Sequence, residues 1–157
     1  MSNNSTFRVC GWRLLTGALA LTLSTMAFAV EFVPYPGKRL VTLVNVEAPN
    51  LVSVTFNTDE TGFFRTLRIR LPGIVVAQDT PQADECERAA AKKALGFTQD
   101  FLAKAKKLYV QDMRMENSAD EEAISPILTD KGSLSAALLK AGLARPDSID
   151  PDAPWCK

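Results

Sequence analysis

The chemistry open to this chain is restricted by the absence of histidine among its 157 residues. Serine or cysteine nucleophiles paired with histidine, histidine zinc sites and histidine general bases are therefore excluded. Any reaction would have to use carboxylates, lysines, arginines or hydroxyl groups. Candidates of these types occur in two neighbouring stretches, residues 67–74, which contain Arg68 and Arg70, and residues 79–82, which begin with Asp79.

Three cysteines are present, and Cys10 lies in the N-terminal segment that we predict to be removed on export. Cys86 and Cys156 remain, an even number that predicts one disulfide in an oxidising compartment. A loop closed over 70 residues would contribute about 4 kcal/mol of stability in the chain-entropy model. A redox or metal site is the weaker alternative, because no Cys-x-x-Cys motif occurs and two thiols do not complete a zinc site.

Three stretches carry a resemblance to a known family. They read Leu-Arg-Ile-Arg-Leu-Pro-Gly-Ile at 67–74, Asp-Thr-Pro-Gln at 79–82, and Ser-Leu-Ser-Ala-Ala-Leu-Leu-Lys-Ala-Gly-Leu-Ala at 133–144. Together they resemble the thermonuclease family, the staphylococcal-nuclease-like OB-fold domains. That family has Arg-Leu-x-Gly-Ile-Asp-Thr-Pro-Glu after its third strand and a last helix that ends in Gly-Leu-Ala. The resemblance runs from about residue 38 to the C-terminus.

The resemblance implies a calcium-dependent phosphodiesterase where the site is complete. Active members use two carboxylates to bind the metal, a glutamate as general base and two arginines on the phosphate. Calcium prefers hard oxygen ligands, and the metal and arginines neutralise charge that develops at the phosphorus. The glutamate activates a water molecule.

Two of these positions are altered in this chain, while a third is retained. Arg70 keeps the position of the first phosphate-binding arginine. Asn50 stands where the family has a metal-binding aspartate, so a charged ligand is replaced by an amide. The family's second arginine corresponds to residues 119–123, an acidic segment without arginine, in which Glu122 would repel a phosphate.

The metal ligand and general base after the third strand depend on how the chain is aligned. If residues 75–78 are an insertion, Asp79 is the second calcium ligand and Gln82 occupies the general-base position. Without a gap, Val75 and Gln78 occupy those two positions. The base is a glutamine in both alignments, and an amide does not accept the proton.

Each candidate also has a structural interpretation. Arg70 can be a solvated arginine at a strand end, and residues 79–81 can be a turn that leads into a helix. Glu85 or Glu87 could replace the base, although carboxylates in the first turn of a helix are favoured there by the helix dipole. The lysines form either a solvated helix face or a nucleic-acid patch: Lys92, Lys93, Lys104, Lys106 and Lys107.

Four strand-like runs and one helix should position these residues. Alternating apolar residues predict strands at 39–46 and 63–69, and a short β-rich run predicts one at 51–56, with a hairpin loop at 57–62. A helix is predicted at 84–106, with Phe97 and Phe101 as core anchors of its apolar face. The predicted apolar face comprises Cys86, Ala90, Ala94, Phe97, Phe101 and Ala105. A fourth strand follows at 108–115, with Asp112 out of alternation as at a bulge.

The C-terminal part completes the predicted order β-β-β-α-β-β-α. A short fifth strand is expected at 124–128, where Pro126 indicates a sheet edge. Ser133 should cap a last helix at 134–143, with Gly142 near its end. This order fits an α+β fold, a five-stranded OB-type barrel with helices.

The N-terminal 29 residues have the composition of a secretory signal. Arg8 and Arg13 precede an apolar run at 14–28, and Ala27-Phe28-Ala29 matches the small-x-small pattern of signal peptidase sites. An uncleaved anchor is the alternative, but the run is shorter than the ~20 residues that a spanning helix needs. We therefore expect cleavage, no membrane span afterwards, and a periplasmic or secreted protein.

The predicted organisation is a signal peptide at 1–29, a leader at 30–38, one OB domain at 39–145 and a Pro/Asp-rich tail at 146–157 that Cys156 attaches. Residues 1–29 contain two of the 18 basic residues and none of the 18 acidic ones, which leaves a net charge of −2. Such a domain has no global attraction for nucleic acid.

Three functions are consistent with these features. The first is an exported binding or interaction module without nuclease activity and without a cofactor. The second is a calcium-dependent nuclease with a rearranged site. The third is a structural, disulfide-stabilised partner subunit. Nucleic acid and another exported protein are the two classes of partner considered, and the sequence identifies neither.

Overall fold

A computed structural model describes residues 32–56, 66–115, 121–150 and 153–156 of the chain. In chain order the elements are β1 (Phe32–Ala48), β2 (Leu51–Phe56), β3 (Thr66–Arg70), β4 (Ile74–Val75), α1 (Glu85–Ala103), β5 (Leu108–Met115), β6 (Glu122–Ile124), β7 (Ile127–Thr129), β8 (Gly132–Ser133), α2 (Leu134–Lys140) and β9 (Arg145–Pro146). The predicted hairpin loop at 57–62 lies outside the described residues, as does the predicted signal peptide.

Five strands close into a barrel. β1, β2 and β3 form an antiparallel meander, and β3 then pairs in parallel with β6. β6 pairs with β5, and β5 returns to β1 along most of its length, which completes the ring. The short strands β7 and β8 extend the sheet beside β5, and β4 pairs with β9 in a separate ribbon. The fold is therefore the predicted α+β, OB-type barrel with helices.

The barrel core comes from the strand alternation that the sequence shows. In β3, Leu67 and Ile69 are fully buried while the residues on either side of them are exposed. Leu134 and Leu138 of α2 are also fully buried and close one end of the core. The larger members of this core cluster are Val52, Val54, Phe56, Leu67, Ile69, Leu102, Val110, Met113, Met115, Ile127, Leu134 and Leu138.

β1 includes most of the segment predicted as a leader at 30–38. Pro34 and Pro36 fall where the β1–β5 register is irregular, because a proline has no N–H to give to the ladder. Between them and the barrel, Gly37 has φ 79° and donates its N–H to Asp112 Oδ1 at 2.7 Å. Asp112 itself has φ 44°, in agreement with the irregularity expected there.

The predicted fifth strand at 124–128 is two strands, β6 and β7, separated by Ser125 and Pro126. The expectation of a sheet edge was wrong, since β6 lies between β3 and β5, and β7 lies between β5 and β8. The break occurs because Ser125 turns inward: its hydroxyl is buried and bonds to the N–H and C=O of Gln111, each at 2.9 Å. The proline therefore lies in an interruption of the ladder rather than at an edge.

α1 begins and ends close to its predicted bounds. Asp84 is the N-cap, and its Oδ1 accepts the N–H of Glu87 at 2.7 Å. The helix ends at Ala103, three residues before the predicted end, and Lys104 is the C-cap. No basic residue lies in its last turn, so no side chain there complements the helix dipole.

The buried face of α1 differs from the prediction. Its buried residues are Ala91, Ala94, Thr98 and Leu102. Phe97 and Phe101 are only partly buried and stack on one another with ring centroids 6.1 Å apart. They therefore pack against the core cluster, as predicted, but at its margin rather than as fully buried residues. Thr98 takes the central position because its hydroxyl donates to the backbone oxygen of Pro49 at 2.9 Å, which satisfies a polar group inside the core.

α2 has the predicted N-cap, since Ser133 Oγ accepts the N–H of Ala136. It ends at Lys140, earlier than predicted, and Gly142 follows with φ 67°. The N–H of Leu143 bonds to the oxygen of Leu138 at 2.9 Å, and the N–H of Gly142 bonds to that of Leu139 at 3.0 Å. These two bonds form a Schellman motif, which explains the Gly-Leu-Ala at the helix end.

Candidate functional site

The outer face of β3 presents the two arginines that the sequence singled out. Because Leu67 and Ile69 point into the core, Arg68 and Arg70 point outward, with side chains 46% and 44% exposed. Parallel pairing places Glu122 of β6 beside Arg68 in the register. Glu122 Oε1 lies 2.6 Å from Arg70 Nε, and its Oε2 lies 3.1 Å from Arg68 Nη2. One carboxylate thus binds both arginines.

A second carboxylate extends this arrangement to β1. Glu47 Oε2 lies 3.8 Å from Arg68 Nη1, and its other oxygen accepts the hydroxyl of Ser53 on β2. The order Glu47–Arg68–Glu122–Arg70 alternates in sign across three strands. We call these four residues the charge row. The formal charge of the row is zero, and each arginine has a carboxylate partner within it.

Asn50 lies in the turn between β1 and β2, beside the end of β3. Its backbone oxygen accepts the N–H of Leu71 at 2.9 Å, and Leu51 pairs with Arg70 in the register. The structure therefore brings the backbone of Asn50 close to that of Arg70. The side chain at this position is an amide, which supplies no negative charge.

The loop between β4 and α1 carries the other candidates. Asp79 and Gln82 are both exposed there. The N–H of Gln78 donates to Glu87 Oε1 at 3.1 Å, so this carboxylate fixes the loop to the first turn of α1. Glu87, considered as a replacement base, therefore has a structural role in the loop. Glu85 is exposed on the same turn.

A pocket of about 310 Å³ lies between this loop, the end of β1 and α1. Its polar lining consists of Glu47, Gln78, Asp79 and Lys92, and the remaining walls are apolar or backbone. Arg70, Asn50 and Gln82 are not among the lining residues. The structure thus separates the predicted site into a pocket with Gln78 and Asp79 and a charge row with Arg70.

Glu47 and Lys92 were not predicted as site residues. Lys92 has the sequence signature of a solvated helix face, and Glu47 that of a strand end, so no local pattern distinguishes either. They meet in the pocket because α1 packs against the β1–β2 turn through Thr98 and Pro49. A search for charged residues at the ends of strands and helices would have included Glu47 but not Lys92, which lines the same pocket.

The acidic segment at 119–123 is described from Glu121 onward. The backbone oxygen of Glu121 accepts the N–H of Arg68 at 2.8 Å, which continues the parallel pairing. Its side chain is exposed, whereas that of Glu122 is in the charge row. Among the described residues, no group of three or more acidic or cysteine side chains is arranged to hold a metal ion.

The predicted disulfide between Cys86 and Cys156 is confirmed, with the two Cα atoms 6.3 Å apart. It joins the first turn of α1 to the C-terminal residues. Neither α1 nor α2 in the described part of the chain is long and apolar enough to cross a membrane.

No family model and no curated protein matches this sequence. The resemblance to the thermonuclease family therefore remains a prediction from three motifs, whereas the OB-type barrel is a property of the structure itself. The barrel alone leaves function open, because OB folds bind nucleic acid, sugars and proteins.

Proposed function

We propose that this chain is an exported, thermonuclease-like domain that acts as a binding or interaction module and does not hydrolyse phosphodiesters. The observation that carries the proposal is the position of Glu122. Its two carboxylate oxygens accept from Arg70 at 2.6 Å and from Arg68 at 3.1 Å. In the family pattern, this segment would bring a second arginine to the phosphate.

A glutamate, Glu122, in the segment where the family has its second arginine weakens phosphate binding in two ways. It removes one cation, and it places a carboxylate on the cation that remains. A phosphate that approached Arg70 would have to displace Glu122 or lie beside a like charge. Loss of one such electrostatic group typically costs on the order of a hundredfold in rate. The base position is occupied by Gln78 or Gln82, and neither amide activates water.

We place the binding surface of the module at the pocket. It is concave, it has apolar walls, and Lys92 and Asp79 give it both signs of charge. A few polar groups on an apolar wall are typical of ligand and peptide sites. Of the two partner classes, another exported protein is favoured over nucleic acid, because the charge row is neutral and the predicted mature chain carries a net charge of −2.

The catalytic part of the proposal is tested by a DNA and RNA cleavage assay with added calcium. We expect no cleavage above the level of an Arg70→Ala variant purified in parallel, which controls for contaminating nuclease. If wild type degrades DNA with calcium and Arg70→Ala does not, the protein is an enzyme with a rebuilt site. That result would favour the calcium-dependent alternative.

A gain-of-function variant gives an independent test. The double substitution Asn50→Asp and Gln82→Glu should strengthen calcium binding, measured by calorimetry, because it restores carboxylate oxygens. Turnover should remain poor, since Glu122 still holds Arg70. Efficient cleavage by this double variant would show that Glu122 does not block the arginine.

The binding part is tested by capture from an exported protein fraction. Lys92→Glu inverts a charge in the pocket, and Lys93→Glu makes the same change on an exposed neighbour outside it. We expect a partner captured by wild type to be retained by Lys93→Glu and lost by Lys92→Glu. Retention by both variants would place the interaction elsewhere on the surface.

A further inference from the structure

The loop that carries Gln78, Asp79 and Gln82 is held at both ends by the C-terminal segment, defined as residues 145–150 and 153–156. At the start of the loop, β9 pairs with β4, with Arg145 opposite Val75. The N–H of Asp147 also donates to the oxygen of Gly73 at 3.2 Å. At the end of the loop, the disulfide joins this segment to the first turn of α1.

Arg145 connects these two attachments within the segment. Its Nη1 donates to the oxygen of Ala153 and its Nη2 to that of Pro154, both at 2.8 Å. Its guanidinium carbon lies 4.1 Å from the centre of the Trp155 ring. The same side chain thus binds three consecutive residues that precede Cys156, while its own backbone pairs with β4. Charge-assisted bonds from one planar group to two carbonyls fix both position and orientation.

We infer that the C-terminal segment is a brace for the loop between β4 and α1, with two closures that act in series. One closure is the disulfide, and the other is the contact of Arg145 with residues 153–155. The loop supplies Ala77, Gln78 and Asp79 to the pocket, so the brace sets the shape of the pocket wall. This inference rests on contacts alone and stands whether or not the proposed function is correct.

The covalent closure is sensitive to reduction. Cys86 is exposed, so a dithiol reductant can reach the bond. A thiolate of the reductant attacks one sulfur and forms a mixed disulfide, and the reductant's second thiol then resolves it. Two electrons and two protons pass to Cys86 and Cys156, which become thiols, and the dithiol becomes a disulfide. The contacts of Arg145 involve no sulfur atom and persist, but they lie within the C-terminal segment, so reduction releases the α1 end of the loop from the brace.

Hydrogen exchange of the full chain tests the inference, because two loop amides have defined partners. The N–H of Gln78 bonds to Glu87 and that of Ala83 bonds to Thr80, each at 3.1 Å. Exchange is measured for wild type and Arg145→Ala, each oxidised and each reduced by a dithiol. We expect either change alone to accelerate both amides by a few-fold, as in local opening. Because the closures act in series, Arg145→Ala should add little to the acceleration once the disulfide is reduced.

Three controls distinguish local opening of the loop from a change in the whole domain. The N–H of Lys106 bonds to Asp130 beyond the other end of α1, and its exchange should not change. Arg39→Ala removes an arginine from the barrel without touching the C-terminal segment, and it should behave as wild type. Arg145→Lys keeps the charge but not the planar fork, so it should show a smaller acceleration and tests the contact if Arg145→Ala does not fold.

Two results would overturn the inference. If Arg145→Ala and Arg145→Lys match wild type at Gln78 and Ala83 in both redox states, Arg145 is not a closure. If reduction accelerates Lys106 as much as the loop amides, the disulfide stabilises the whole domain and the segment is not a local brace.

Discussion

Glu122 determines the electrostatic character of the outer face of β3. A carboxylate at this position converts a pair of exposed arginines into a neutral row, and the parallel pairing of β6 with β3 fixes it there. The sequence predicted that Glu122 would repel a phosphate. The structure adds a second effect, because the same carboxylate also binds Arg70.

We expect Glu122→Gln to strengthen binding of a single-stranded DNA oligonucleotide by about fivefold at low salt, the equivalent of about 1 kcal/mol for one exposed ion pair. Both arginines lose their shared partner in this variant. Fluorescence anisotropy without divalent cations measures the affinity. Glu121→Gln is the matched control, since it removes the same charge from the exposed neighbour. Equal gains in both variants would mean that only net charge matters.

Asp130 stabilises the turn between α1 and β5. Its Oδ1 accepts the N–H of Lys106 at 2.8 Å, and this backbone bond, followed by that of Lys107, holds the pKa of Asp130 below its ordinary value. A carboxyl with a lowered pKa contributes stability above its unfolded pKa of about 3.9 and loses it as the pH falls through the folded value.

Asp130→Asn should therefore be less stable than wild type at pH 7, and the difference should shrink as the pH falls below about 4. Urea unfolding at pH 7 and at pH 3 measures both. Asp100→Asn, which removes an exposed ion pair with Lys104, should show little difference at either pH. A difference for Asp130→Asn that grows toward acid pH would contradict the assigned cause.

At the scale of elements, the sequence predicted the position of α1 in the chain but not which of its faces is buried. Leu102 is buried in the core, whereas Phe101 is partly buried against Phe97. Leu102→Ala should cost about 2–5 kcal/mol of unfolding free energy, the range for a buried leucine. Phe101→Ala should cost less, about 2 kcal/mol, because its ring keeps partial contact with solvent. Urea denaturation measures the loss of unfolding free energy in both variants. A larger loss for Phe101→Ala would mean that the predicted face of α1 is the buried one.

The elements that sequence patterns predicted well are those whose signals are local. The alternation in β3, the Ser133 cap and the Gly142 helix end each depend on neighbouring residues. The rotation of α1 depends on Pro49, whose backbone oxygen gives Thr98 a partner inside the core. Likewise, prolines at 34 and 36 indicate a leader until β5 is known to pair with the residues around them through irregular register.

The candidate site was predictable only in part for the same reason. Arg70, Asp79 and the disulfide follow from motifs and cysteine number. The pocket requires the end of β1, a loop and the middle of α1 to meet, and no pattern within any one of them indicates the other two. Glu47 belongs to both the pocket and the charge row, a connection that only the folded barrel makes.

At the scale of the whole molecule, the predicted cleavage site is compatible with the barrel. The predicted cleavage follows Ala29, and β1 is described from Phe32, so the cut would leave the described residues of the first strand intact. The cut would also remove Cys10, and Cys86 and Cys156 would then be the complete set of thiols. A mature chain of this kind can form its disulfide in an oxidising compartment without an unpaired cysteine to compete.

We therefore expect the exported protein to begin at Val30, as measured by intact mass and N-terminal sequencing. Ala29→Leu should prevent cleavage, because the peptidase site requires a small residue before the cut, whereas Val30→Leu should be processed normally. The non-reduced exported form should yield linked Cys86 and Cys156 peptides. An exported protein that still begins at Met1, or one cut within β1, would contradict the prediction, since a cut in the strand would remove pairing with β5 that closes the barrel.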